Sequence, residues 1–176
     1  MQPKIDSVAL AAAVLAAGVG LSNPAAAHVV LEERAAPAAS YHTATLIVPH
    51  GCDGKPTLSV RVHLPEGLTS VKPQPKPGWR LSIERGPRPE PVTGGHGHTH
   101  TEGVREIVWD NGNLPDDQFD TFAVMMRLPD APAGTALRFP VIQTCAGDER
   151  HWVETRAEGE AMPKSPVPTL RLRAPE

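Results

Sequence analysis

Aromatic side chains are scarce in this sequence: its 176 residues include three tryptophans, three phenylalanines and one tyrosine. A surface that grips polysaccharide needs flat rings to stack sugars on, and few are available here. An excess of basic charge is also missing. Seventeen lysines and arginines face 20 aspartates and glutamates, for a formal net charge of −3, so there is no electrostatic footprint for nucleic acid. Cysteine is limited to Cys52 and Cys145. Beyond residue 21 no apolar run is long enough to cross a bilayer, and no convincing amphipathic helix pattern occurs. Disorder is excluded from the other side, because 40% of the residues are hydrophobic. Proline and histidine are plentiful, at 20 and 8 residues.

The N-terminus has the three parts of a secretory signal: Lys4, the apolar run VALAAAVLAAGVGL at residues 8–21, and Ala25-Ala26-Ala27. The expectation is an export signal over residues 1–27 and one domain over 28–176, located in the periplasm. Cleavage after Ala27 makes His28 the first residue. An N-terminal histidine offers a free amine and an imidazole Nδ1 that close a chelate ring on one ion. Nitrogen donors of this kind suit Cu(II), which heads the divalent affinity order.

The rest of the sequence reads as strand. Residues 41–48 (YHTATLIV), 57–64, 78–83, 104–109, 119–128, 136–143 and 170–172 alternate in polarity or are rich in β-branched side chains, and 28–32 could add another. Pro49, Gly51, Pro65-Glu66-Gly67, Asn111-Gly112-Asn113 and Pro129 to Gly134 punctuate them. About seven to nine short strands predict an all-β, antiparallel, immunoglobulin-like sandwich. Residues 86–103 (GPRPEPVTGGHGHTHTEG) have Val92 as their one hydrophobic residue, which predicts a mobile loop. In an exported protein, two cysteines this far apart are expected to form a Cys52–Cys145 disulfide.

Of the histidines, His50 follows a strand in VPHGCDG and could supply a third nitrogen to an ion at His28. Glu32 and His151 are weaker ligand candidates. Glu32 would lie about 13 Å from His28 along an extended strand, too far to share an ion without a bend. His96, His98 and His100 alternate with small residues and suggest a low-affinity metal loop, or a plain solvated one. His42 and His63 lie within strand patterns and read as bystanders.

The ordered series AHVVLEE, VPHGCDGKPT, LPEGL, KPQPKPGW, IVWDNGNLPDDQFDTF and VIQTC followed by Trp152 resembles the YcnI-like family of exported copper-binding domains. The resemblance spans nearly all of residues 28–154. It implies a β-sandwich holding one Cu(II) through a single-histidine brace, a role that falls on His28. It also implies a tryptophan beside the copper, for which Trp152 is the match; an indole has no free lone pair, so it would pack, shield or protect rather than ligate. Other branches place an acidic residue after the VP turn; this chain has His50-Gly51 there, which favours His50 as the replacement.

The function expected from these residues is copper storage, buffering or delivery, without catalysis. A second periplasmic copper protein or an oxidase-assembly factor would be the partner. The alternatives are a copper-dependent oxidative enzyme of the polysaccharide monooxygenase type, and a structural or interaction sandwich without metal.

Overall fold

The computed structural model describes residues 28–93, 97–157 and 159–175. The expected export signal at residues 1–27 and His96 lie outside the described residues. Among the described residues every regular element is a strand, and there are twelve.

One sheet has the order β1 (Val30–Leu31), β3 (Tyr41–Val48), β8 (Asp120–Arg127), β5 (Thr69–Pro73). A five-stranded sheet has the order β11 (Asp148–Trp152), β10 (Val141–Cys145), β4 (Thr57–His63), β7 (Thr99–Asp110), β6 (Arg80–Thr93). A small third sheet has the order β2 (Ala35–Pro37), β12 (Thr169–Arg173), β9 (Ala136–Arg138). All pairings are antiparallel except β2 with β12.

Alternation explains the core. Ala44, Leu46 and Val48 of β3 and Phe122, Val124 and Met126 of β8 are buried, as are Val60 and Val62 of β4 and Ile107 and Trp109 of β7. Period-two burial puts each set on one face of its sheet. Trp109 meets Phe122 edge-on at 5.4 Å between ring centroids, joining β7 of one sheet to β8 of the other. The Trp109 indole N–H donates to the Gln74 carbonyl at 3.0 Å, so the ring is buried without an orphaned donor.

The fold class expected from the sequence holds, and the strands are more numerous than expected for identifiable reasons. The run 136–143 divides into β9 and β10 around Phe139-Pro140, where the chain leaves the small sheet for the five-stranded one. Proline lacks the N–H that a continuous ladder would use there. The short strands β2 and β5 carry no apolar alternation long enough to show in the sequence.

Of the stretch 86–103, expected as a loop, residues 86–93 and 99–103 instead form the outer part of the β6–β7 hairpin. Gly86 pairs with Gly103, Pro87 with Glu102, Val92 with His100 and Thr93 with Thr99. Its three prolines are tolerated because β6 is the edge of its sheet, and the register shifts between Pro87 and Val92.

Candidate functional site

His28 stands two residues before β1, and buried Val29 and Leu31 pin the chain on either side of Val30. The imidazole is half-buried and meets the Trp152 indole edge-on, with ring centroids 5.8 Å apart and planes at 69°. Among the described residues, neither ring nitrogen of His28 has a hydrogen-bond partner. Both ring nitrogens are therefore left to solvent or to a ligand.

Trp152 ends β11 and is only 5% exposed. Its indole N–H donates to Gln143 Oε1 at 3.0 Å. Val141 of β10 lies opposite Trp152, and Gln143 is two residues further along β10, on the same face. Gln143 is 1% exposed, and its amide nitrogen donates to the His50 carbonyl at 2.8 Å and to Thr57 Oγ1 at 2.7 Å. Three of the four hydrogen-bonding positions of this buried amide are thus filled. Thr57 Oγ1 lies 3.8 Å from Cys145 Sγ, and the Cys52–Cys145 disulfide joins the turn after β3 to the end of β10. A continuous polar chain therefore runs from Trp152 through Gln143 to the His50 turn and the disulfide.

The His50 turn is built by its own sequence. Cys52 and Lys55 exchange backbone hydrogen bonds of 2.9 and 3.0 Å. Asp53 and Gly54 between them have φ of 50° and 81°, the type I′ signature that an Asp-Gly pair provides. Asp116 Oδ2 accepts the Gly54 N–H, and Arg150 of β11 forms an ion pair with Asp53. His50 Nδ1 lies 2.5 Å from the Gly51 carbonyl. A carbonyl only accepts, so Nδ1 is the donor in this contact.

The other candidates are distributed differently. Glu32 is exposed beyond β1, and its backbone N–H donates to the Thr45 carbonyl at 2.9 Å. His151 alternates with Trp152 and so points to the opposite face of β11, where its Nε2 meets Glu149 at 3.0 Å. It is not brought to His28. His98 and His100 are exposed on the β6–β7 hairpin. Among the described residues, no group of three or more His, Cys, Asp or Glu side chains is placed to hold a metal ion. Side chains alone thus make no closed site; the donors that fit an ion at His28 are its ring and, in a chain beginning there, its own amine. Gln143 is the residue missed by sequence reasoning. Its signal was a polar residue in VIQTC sharing the inward parity of Val141 and Cys145, both buried.

A groove of about 410 Å³ opens beside His28, bounded by residues 28–31, 154–156 and 166–169 and by the outer face of the small sheet. Among the described residues that line it are Arg34, Arg138, Arg156 and Arg171, with Glu154 the one carboxylate among them.

Comparison with known proteins agrees with this architecture. A relative from Bacillus subtilis (strain 168), the copper-binding protein CutI, is 24% identical over 126 residues, which cover 70% of this chain. The chain spans 54% of that relative's length. A crystal structure of an uncharacterized protein from Nocardia farcinica, described as having an immunoglobulin-like fold, superposes with a TM-score of 0.62 at 24% identity. That match covers 82% of this chain and 97% of the other. The family described as a domain of unknown function, DUF1775, matches residues 28–172. The chain belongs to this family, and the YcnI-like assignment drawn from its ordered motifs stands with it.

Proposed function

We propose that this protein is exported to the periplasm and, once cut before His28, binds one Cu(II) through the amine and Nδ1 of His28, for storage, buffering or delivery of copper. The observation that carries this reading is the His28 ring, held against a buried and anchored Trp152 with both ring nitrogens uncommitted among the described residues. The CutI relative, named as a copper-binding protein, supports the metal. His50, in the turn that Gln143 ties to Trp152, is the candidate for a further nitrogen. A brace of two donors from one residue leaves coordination positions open, as exchange with a partner copper protein or an oxidase-assembly factor requires.

A carrier is favoured over an oxidative enzyme because, apart from His28, none of the described residues lining the adjoining groove is aromatic. Sugar rings would find nothing to stack on beside the metal. Calorimetric titration with Cu(II) tests the brace directly, comparing protein that begins at His28 with protein that retains Ala27. Tight binding by the first alone is expected; equally tight binding by both overturns the reading. Nitrogen hyperfine structure in the electron paramagnetic resonance spectrum, lost in part in His50→Ala, would assign His50 as a ligand.

A further inference from the structure

We infer that the groove beside His28 is a docking site for an acidic peptide segment of a partner protein. The inference rests on the groove's arginines and not on the copper reading.

Register places the arginines. Leu137, Leu170 and Leu172 are buried, so Arg138 of β9 and Thr169 and Arg171 of β12 occupy the opposite, outer face of the small sheet. Thr169 lies opposite Arg138, and Arg171 lies between Ala136 and Ala35. The two guanidinium groups are thus diagonal neighbours over small side chains. Arg34 precedes β2, with its carbonyl accepting the Arg171 N–H at 2.9 Å, and Arg156 closes the groove from the segment after β11.

These four side chains are exposed and lack acidic partners. Among the described residues, Arg34, Arg138 and Arg156 make no ion pair or side-chain hydrogen bond, and Arg171 reaches only the Gly134 carbonyl, at 3.5 Å. Elsewhere the chain gives carboxylate partners to Arg61, Arg80, Arg105 and Arg150. The groove's own acid, Glu154, accepts the Ser165 backbone N–H at 2.8 Å.

Four arginines to one carboxylate among the groove's described residues, in a chain of net charge −3, invert the protein's overall sign. Clustered like charges cost stability unless a ligand neutralises them, and guanidinium pairs with carboxylate through two parallel N–H donations. Several guanidiniums over a length of groove call for several carboxylates on one backbone. A partner held there would have its acidic residues beside His28, at the mouth of the proposed copper site.

The test uses metal-free protein and a hexaglutamate peptide, with binding followed by calorimetry at low salt. Binding is expected, and raising salt from about 20 to about 200 mM should weaken it about tenfold or more, since exposed charge pairs are screened. The double variant Arg138→Ala/Arg171→Ala should lose about tenfold in affinity, while the control Arg80→Ala/Arg105→Ala changes it by less than about twofold. A glycine-serine peptide of the same length should not bind, and citrate should bind at least about tenfold more weakly than the peptide. No binding of hexaglutamate, an equal loss in the control variant, or citrate binding as tightly as the peptide would each overturn the proposal. His28→Ala should abolish the brace yet retain peptide affinity, so failure of the copper reading is separately visible.

Discussion

Gln143 holds more of the candidate site together than any ligand does. Its carboxamide receives the Trp152 N–H and donates to the His50 carbonyl and Thr57, so one side chain orients the ring beside His28 and the turn that carries His50. Replacing it by leucine leaves the buried Trp152 indole N–H without its acceptor, at roughly 1–3 kcal/mol, while the His50 carbonyl keeps the Thr57 hydroxyl at 3.5 Å. Gln143→Leu is therefore expected to lower stability by about 2 kcal/mol in urea unfolding. It should also weaken the quenching of Trp152 fluorescence by Cu(II).

His42 makes a second prediction at this scale. Its ring lies inward on β3, Nε2 has no partner among the described residues, and Nδ1 faces Glu33 at 3.7 Å. Burial pushes its pKa below the usual imidazole value, with the Glu33 charge opposing. The unfolded ring titrates near 6.5, so the unfolded state binds the proton first as pH falls. Stability should decline as pH drops through about 6.5 and level off below the depressed folded value. His42→Leu should remove that part of the decline in denaturation series across pH 7.5 to 5.

At the level of elements, tight turns set the spacing of the strands. The Asn111-Gly112 turn after β7 is covered by the Trp79 indole, which itself packs on Phe122 at 5.0 Å. A Cβ at position 112 would collide with three ring carbons of Trp79. Gly112→Ala should therefore cost about 1–3 kcal/mol by displacing the ring, measurable as a lower thermal midpoint and altered near-ultraviolet circular dichroism. The motifs PGW and DNGN announce both partners of this contact, but nothing in their spacing says that they touch. The β6–β7 hairpin shows the converse. Its composition reads as loop, yet backbone pairing between β6 and β7 needs no apolar side chains, so hairpin pairing overrode propensity.

Across the whole molecule, the inter-sheet core and the disulfide supply stability. Closing 93 residues of separation contributes about 4–5 kcal/mol in the chain-entropy account. Chelator treatment should leave the thermal midpoint of protein isolated without added copper unchanged, reductant should lower it, and Cu(II) should raise it for the chain that begins at His28. A midpoint that falls sharply with chelator alone would show that an ion is part of the fold.

The sequence by itself determined the strands with long alternation, the sandwich class, the disulfide pair, the YcnI-like resemblance and His28 as the leading candidate. Each of these depends on local pattern or on the identity of a single residue. Tertiary structure alone decided that Trp152 reaches His28, that His151 turns away, that Gln143 links both to the His50 turn, and that four scattered arginines line one groove. Those facts depend on strand register and on which sheet each strand joins. A one-residue slip would reverse every side chain, so contacts of this kind are fixed only when the whole core closes.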